Sequence, residues 1–168
     1  MKEQYYVAYG SNLHRAQLSM RCPESQVVAT GYLKNYELLF RGTDGNCFCT
    51  VEKKQGSKVP ISINLVSERD KLALDRYEGY PRHYRISRLK PSDIIITNGN
   101  IKGCKELFMY VMNKYMGELG HPSNRYYNIV YQGYHDCGLN PQFLQRALQE
   151  SINRMPQKKP RYTDFWPR

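Results

Sequence analysis

Residues 5–13 read Tyr5-Tyr6-Val7-Ala8-Tyr9-Gly10-Ser11-Asn12-Leu13 and join a short apolar run to a tight polar turn. The aromatic, β-branched and small residues of the run are typical of a buried strand. Gly10 lets the backbone turn or approach a ligand closely, and Ser11 and Asn12 are good helix caps. A strand that enters a helix through such a turn brings several backbone N–H groups together. The stretch therefore predicts either a site for an anion such as a carboxylate, or a well-capped connection without a ligand.

A second polar group is expected at the end of a helix. Ser67 is a good N-cap, the acidic residues after it suit a helix N-terminus, and Gly79 is well placed to end the helix. Glu78 then lies at the last position, where the negative end of the helix disfavours a carboxylate. This location, together with burial, predicts a raised pKa for Glu78. Without further information, a solvated surface carboxylate is the alternative.

Most of the remaining chain predicts strands joined by hairpins. Alternating apolar residues over 59–66 indicate a strand with one buried face, and residues 105–112 are apolar on both faces, which indicates a central strand. Loops are expected at 56–58 and 114–121. Asn98-Gly99-Asn100 is typical of a hairpin turn. Further helices are expected after Ser123 and after Pro141.

The composition fits one cytoplasmic globular domain. The chain has 168 residues, of which 40% are hydrophobic, and its 15 tyrosines can bury a ring while still offering a hydroxyl. We expect no membrane span and no signal peptide. The five cysteines form no framework pattern, so reduced thiols are expected. Cys47 and Cys49 have the residue type of a metal site, but no second pair lies nearby, and we interpret them as buried apolar thiols.

The net charge of +10 allows two interpretations. A basic chain can bind nucleic acid or another anionic surface. The basic residues are spread along the chain, however, without the aromatic and basic repeats of RNA-binding proteins. Nucleic-acid binding is therefore not favoured, but it is retained as the competing class. A positive field would equally attract a small anionic substrate.

Three pieces of the chain resemble the gamma-glutamylcyclotransferase-like family. Residues 9–13 resemble its signature loop, and Leu74-Asp75-Arg76-Tyr77-Glu78-Gly79 resembles its second motif, in which the Glu is the catalytic acid and base. Tyr84 follows this motif as in the family. Residues 122–126, with Gly133 and Gly138-Leu139, resemble its third block. The pieces occur in the family's order between about residues 5 and 148, although Pro60 and Ser62 depart from its pattern.

The resemblance implies an α+β fold, a small mixed β-barrel flanked by helices. One domain would cover residues 1–155, followed by a basic, Pro-rich tail over 156–168. It also implies an enzyme, an acyltransferase or amide lyase that releases 5-oxoproline from a γ-glutamyl amine, dipeptide or tagged intermediate. The substrate's own α-amine would attack its γ-carbonyl, so no metal or cofactor is expected. A non-catalytic γ-glutamyl-binding module of the same fold is the alternative.

The resemblance further assigns roles to individual residues. Glu78 would act as general base and then as general acid. Asp75 would be a structural helix residue. The family's loop would cradle the glutamyl group, and tyrosines would line the pocket or donate hydroxyl groups. The substrate-binding residues implied are Tyr9, Gly10, Ser11, Asn12, Leu13, Tyr84 and Tyr126. Segments 42–46, 98–104 and 114–122 are expected to form the outer walls, whereas the leaving group and the oligomeric state stay open.

Overall fold

The computed structural model describes residues 3–157, which form one mixed sheet and four α-helices. The predicted tail lies outside the described residues from residue 158 onward. The strands are β1 (Gln4–Ala8), β2 (Gln26–Thr43), β3 (Asn46–Val66), β4 (Tyr84–Leu89), β5 (Ile94–Gly99), β6 (Leu107–Met112) and β7 (Glu118–Leu119). The helices are α1 (Arg15–Arg21), α2 (Glu68–Tyr77), α3 (Asn124–Asp136) and α4 (Gln142–Asn153).

The sheet has the strand order β4-β6-β1-β3-β2-β5, and β7 pairs with β2 outside this path. Strand β1 is parallel to β6, while the other pairs are antiparallel. The α+β class is confirmed. Within residues 3–157 no ladder joins β4 to β5, so the hydrogen-bonded path is open, and the closed barrel that we expected is not formed. Closure would need these two outer strands to pair with each other.

The centre of the sheet carries the core and the start of the site. All six residues of β6 are buried, as predicted for a central strand, and the last three residues of β1 are buried beside them. Helix α4 covers β2, where the Phe40 N–H donates to Ser151 Oγ at 2.8 Å. Helix α3 packs on the turn after β1, because a Cβ added to Gly133 would lie 2.6 Å from Leu13 Cβ. The turn is therefore fixed between the sheet and α3.

The loop predicted at residues 56–58 is wrong, because the long β2–β3 hairpin continues through them. These residues belong to β3, whose pairing with β2 is irregular between Lys34 and Tyr36. Asn35 has a φ of 60° at this point, and its Oδ1 accepts a hydrogen bond from Gly56 N–H at 3.0 Å. The glycine thus marks an irregularity inside a strand. Pro60 lies within the sheet, since β3 runs between β1 and β2.

Two further predictions are wrong. The Asn98-Gly99 signal does not join β5 to the following strand, because β5 pairs with β2, whereas β6 pairs with β1 and β4. The segment 114–121 is not only a loop, since it contains a 3₁₀ turn at Lys114–Met116 and the short strand β7.

None of the helices within residues 3–157 has the length and apolar character needed to cross a membrane.

Candidate active site

The turn after β1 is a single turn of 3₁₀ helix over Ser11–Leu13. It is closed by hydrogen bonds from the Leu13 N–H to Gly10 O at 3.0 Å and from the His14 N–H to Ser11 O at 3.1 Å. The first N–H groups of such a turn have no acceptor within it. Ser11 and Asn12 are themselves buried. The local structure therefore has the strand, turn and helix order that the sequence predicts.

Gly10 lies at a close approach between three parts of the chain. A Cβ at this position would lie 3.0 Å from Cys49 Cβ in β3 and 3.4 Å from the Tyr126 hydroxyl in α3. The first distance is tighter than ordinary van der Waals contact, and Cys49 is buried. The absence of a side chain therefore keeps the floor of the turn open to the adjacent cavity.

Helix α2 delivers Glu78 to this turn. The Ser67 hydroxyl accepts a hydrogen bond from the Asp70 N–H at 3.1 Å and starts the helix. Glu78 is the C-cap residue, with its N–H donating to Leu74 O at 2.9 Å. Gly79 follows with a φ of 61°, the left-handed conformation that commonly ends a helix. The predicted helix end is thus confirmed, and it fixes the direction in which the carboxylate points.

A hydrogen-bond chain connects the turn to Glu78. Asn12 Nδ2 donates to Glu78 Oε1 at 3.0 Å and to the Tyr6 hydroxyl at 2.8 Å. Arg21 Nη1 donates to Asn12 Oδ1, and the Arg21 guanidinium lies 3.5 Å from the centre of the Tyr77 ring. The orientation of the Asn12 amide is therefore set on both sides, with its NH₂ group directed at the carboxylate.

Burial raises the pKa of Glu78 from 4.5 to about 7. The positive charge of Arg21 and the hydrogen bond from Asn12 both lower this pKa, but less than burial raises it. Arg21 is bonded to Asn12 rather than to the carboxylate, which explains why its charge only partly offsets desolvation. The predicted direction is confirmed, with burial as the largest cause. A carboxylate with this pKa is suited to exchange protons near neutral pH.

Glu78 opens onto a cavity of about 410 Å³. Of the residues proposed from sequence, those that line it are Tyr9, Gly10, Ser11, Asn12, Glu78, Tyr84 and Tyr126. Leu13 does not line it, because its side chain is buried against Gly133 and its N–H already bonds within the turn. We therefore correct Leu13 from a binding residue to a packing residue.

Tyr84 and Tyr126 differ in how their hydroxyl groups are used. The Tyr84 hydroxyl donates to Cys49 O at 3.0 Å, whereas the Tyr126 hydroxyl accepts from the Cys49 N–H at 3.1 Å. Both tyrosines thus form hydrogen bonds with the backbone of Cys49 in β3. The Tyr126 hydroxyl also interacts with the Cys49 side chain. Burial raises the pKa of both tyrosines, which favours their protonated forms.

Several lining or supporting residues were missed by sequence reasoning. They include Tyr6, Arg21, Phe48, Tyr77, Tyr110 and Met116. Arg21 was visible only as the last residue of a short helix, and nothing local indicates that its side chain reaches Asn12. Of the expected outer walls, 42–46 and 114–122 contribute residues, whereas 98–104 does not.

Across residues 3–157, no three His, Cys, Asp or Glu side chains are grouped as metal ligands, and Cys47 and Cys49 are buried free thiols.

Comparison with known proteins agrees with this fold. The family model described as "Gamma-glutamyl cyclotransferase, AIG2-like" matches residues 6–134. The match covers more than half of the chain, and the chain therefore belongs to this family. No curated protein matches the sequence.

Solved structures share the fold at low sequence identity. One described as a gamma-glutamyl cyclotransferase is 20% identical with a TM-score of 0.73, over 95% of this chain and 93% of its own. An uncharacterized protein from Homo sapiens is 22% identical with a TM-score of 0.72, over 95% and 92%. YkqA from Bacillus subtilis is 18% identical with a TM-score of 0.69, but only 56% of its chain is covered, against 94% of this one. These likenesses concern the fold alone.

Proposed function

We propose that this protein is a γ-glutamyl cyclotransferase that releases 5-oxoproline from a small γ-glutamyl amide. The observation that carries the proposal is Glu78, a carboxylate with a pKa of about 7 that opens into the cavity beside the polar turn. A non-catalytic binding site for a glutamyl group, which carries a carboxylate of its own, would gain little from such a group. A proton-transfer step explains its presence.

Glu78 is the general base and then the general acid of the proposed reaction. Its carboxylate takes a proton from the substrate α-ammonium, and the freed amine attacks the γ-carbonyl carbon to close the five-membered ring. Glu78 donates this proton to the leaving nitrogen as the scissile C–N bond breaks, and the ionised carboxylate then accepts the second proton from the ring nitrogen and passes it to the released amine. The products are 5-oxoproline and a free amine. Asn12 holds the Glu78 carboxylate in place through its 3.0 Å hydrogen bond.

The turn and Tyr126 supply hydrogen-bond donors for the substrate. Backbone N–H groups at Ser11 and Asn12 suit a carboxylate or a developing oxyanion. The Tyr126 hydroxyl retains a proton and lies near Gly10, so it is our choice as oxyanion donor. Tyr9 forms a wall, since its hydroxyl is bonded to Tyr110 O at 2.5 Å. Substrate held between these groups and Glu78 would be curled, as ring closure requires.

The experiment is a measurement of 5-oxoproline release from γ-glutamyl amines and dipeptides. Release by the wild-type protein and its loss in Glu78→Gln would support the proposal. Full turnover by Glu78→Gln would refute the mechanism. If a folded protein released nothing, a thermal shift with the same ligands would indicate the binding module instead, because a ligand stabilises only a protein that binds it.

A further inference from the structure

The cavity is also lined by residues that the proposed chemistry does not use. Ser11, Asn12 and Glu78 line the part that we call the glutamyl end, and other residues come from the β2–β3 turn, the start of β3, the end of β6 and the 3₁₀ turn before β7. We call the part lined by these other residues the outer wall and define it by Gly42, Thr43, Asn46, Phe48, Met112 and Met116. The leaving group of a γ-glutamyl amide must extend from the scissile bond toward this wall.

The outer wall begins directly beside the glutamyl end. Cys49 approaches the turn at Gly10, and the strand then runs outward through Phe48 to Asn46. At the rise of a β-strand, the three residues from Cys49 to Asn46 span about 10 Å. The wall is therefore long enough to contact a leaving amine with an extended substituent, and not only the amide nitrogen.

The outer wall carries no charged side chain, since Phe48, Met112 and Met116 are apolar, and Thr43 and Asn46 are uncharged polar residues. Glu78 is the only Asp, Glu, Lys or Arg among the cavity-lining residues of the described chain, and it does not belong to the outer wall. Phe48 is held by an edge-on contact with Tyr126, with 4.9 Å between the ring centres. Met112 and Met116 add polarisable thioethers, which adapt to irregular apolar shapes. Such a surface favours an uncharged substituent, because a charged one would find no counter-charge among these side chains.

The charged residues near this wall bond to one another instead of to the cavity. Arg41 donates to Glu52 Oε1 at 2.5 Å and to Gly117 O at 2.9 Å. Lys114 lies 3.8 Å from the other oxygen of Glu52. The Arg41–Gly117 bond also holds the backbone next to Met116. A cationic or anionic leaving group would thus meet Met116 and Phe48 rather than a free counter-charge.

Backbone contact makes the wall rigid. A Cβ on Gly117 would lie 2.2 Å from Gly42 O, so the two turns pack backbone to backbone. Gly117 has a φ of 148° and Gly42 a φ of 150°, which side chains other than glycine rarely allow. The position of Met116 over the β2–β3 turn is therefore fixed before any ligand arrives.

From the uncharged outer wall at Phe48, Met112 and Met116, we infer that the substrates are γ-glutamyl amides whose leaving amine carries an apolar, uncharged substituent. This inference rests on the proposed function and narrows it to a substrate class. Amides that end in an ammonium or a carboxylate would be poorer ligands. The discrimination would come from the outer wall, while the glutamyl end would treat all of them alike.

Binding and turnover are both measured with matched amides. The ligands are γ-glutamyl hexylamide and its 5-aminopentyl and 5-carboxypentyl analogues, which end in a methyl, a cation and an anion. Calorimetric titration of Glu78→Gln protein gives each Kd without turnover. We expect the hexylamide to bind about 10-fold or more tightly than either charged amide, as apolar pockets commonly discriminate. Equal Kd values, tighter binding of a charged amide, or no binding of any would overturn the inference.

The wild-type protein separates this inference from the proposed function. γ-Glutamyl methylamide has a leaving group too short to reach the outer wall, so 5-oxoproline release from it tests the chemistry alone. Release from the methylamide with equal kcat/KM for the three long amides would refute the substrate class but keep the function. A hexylamide preference in Kd without any 5-oxoproline release would refute the function but keep the outer wall as a binding surface.

A charge placed on the outer wall gives the control. Met116→Glu should weaken the hexylamide and favour the 5-aminopentyl amide, moving the ratio of their kcat/KM values by about 10-fold. Met20→Glu makes the same substitution on α1, where Met20 is 87% exposed and outside the cavity, and should leave the ratio unchanged. An equal change of the ratio in both variants, or in neither, would contradict the inference.

Discussion

Helix α2 carries two carboxylates three residues apart, in opposite environments. Asp75 is fully bonded, since Oδ1 accepts from the Tyr110 hydroxyl at 2.5 Å and Oδ2 accepts from Lys71 Nζ at 2.8 Å. Glu78 accepts a hydrogen bond from the neutral amide of Asn12, and the nearest cation, Arg21, is bonded to that amide instead. One carboxylate has a direct counter-charge, and the other has a neutral partner and a cavity.

This difference shows how one helix can hold a structural acid and a reactive one. A direct cation fixes the position of a carboxylate side chain, as the i,i+4 pair of Lys71 and Asp75 does. Burial with a neutral donor raises the pKa of Glu78 to about 7, so that both protonation states are accessible near neutral pH. The hydrogen-bond partners of the two acids therefore distinguish them.

Matched amide substitutions should separate the two carboxylates most strongly. Glu78→Gln removes the proposed base and should lower 5-oxoproline release by roughly 100-fold or more. Asp75→Asn makes the same chemical change one turn earlier and should retain most of the activity, because Asp75 does not line the cavity. Steady-state kcat/KM of both variants checks this. A comparable loss in Asp75→Asn and Glu78→Gln would mean that the acids are not functionally distinct.

The pH dependence of the wild-type protein should show the raised pKa of Glu78. The base must be ionised to accept a proton, so kcat/KM should fall below about pH 7, where the carboxylate becomes protonated. Well below the pKa, the fall should be about tenfold per pH unit. Assays on both sides of neutral pH would measure this limb. An acidic limb near pH 4.5 would assign the step to a carboxylate with an ordinary pKa.

Removing the charge of Arg21 should change activity less than Glu78→Gln does. Arg21 lowers the pKa of Glu78, so Arg21→Met should raise that pKa further and move the acidic limb to higher pH. Activity should therefore fall several-fold at about pH 6 and much less at about pH 9, since a shift of one unit corresponds to tenfold. Arg21→Lys, which keeps the charge, serves as the control. A loss that is equal at all pH values would indicate a purely structural role.

Stability should show the smallest effect, with opposite signs for the two acids. The pKa of Glu78 is higher in the folded state than unfolded, so the folded state binds more protons between about pH 4.5 and 7. Folding stability from this group falls as pH rises through that window, and the loss is complete above it. Glu78→Gln should thus keep or raise the Tm at about pH 8. Asp75→Asn breaks charge-assisted bonds and should lower the Tm by a few degrees, for about 1 kcal/mol.

Thermal unfolding at about pH 5 and about pH 8 would check both signs. The advantage of Glu78→Gln should shrink at the lower pH, where Glu78 is protonated in the folded protein. A Tm deficit in Glu78→Gln at the higher pH would show that the ionised carboxylate stabilises the fold, which is the opposite of what its raised pKa predicts.

Local sequence signals predicted the parts of the site that depend on residues adjacent in the sequence. Ser67 and Gly79 bound α2 and place Glu78 at its end, and Gly10 and Ser11 give the turn after β1. The network around Glu78 was not predictable in the same way. Arg21 reaches Asn12 only because α1 folds back on the turn, and a sequence pattern does not specify side-chain direction across such a contact.

Pairing partners were the weakest part of the fold prediction. Asn98-Gly99 correctly marks the end of β5, but a turn signal does not say which strand lies alongside. Strand β5 pairs with β2, and Gly99 approaches Val28 O so closely that a Cβ would lie 2.1 Å from it. Closure of the sheet also depends on non-local pairing, which local sequence signals do not specify. The barrel was expected from the family resemblance, whereas the strands form an open path.

The most direct test of the role of Glu78 is a site-specific titration of its carboxyl group. Carbon-13 labelling of glutamate carboxyl groups would allow each to be followed by NMR with pH, and Glu78→Gln would identify the Glu78 signal. We expect an apparent pKa of about 7 for this group in the wild-type protein. A value near 4.5, that of an ordinary solvated glutamate, would contradict the claim that burial beside Asn12 makes Glu78 the base.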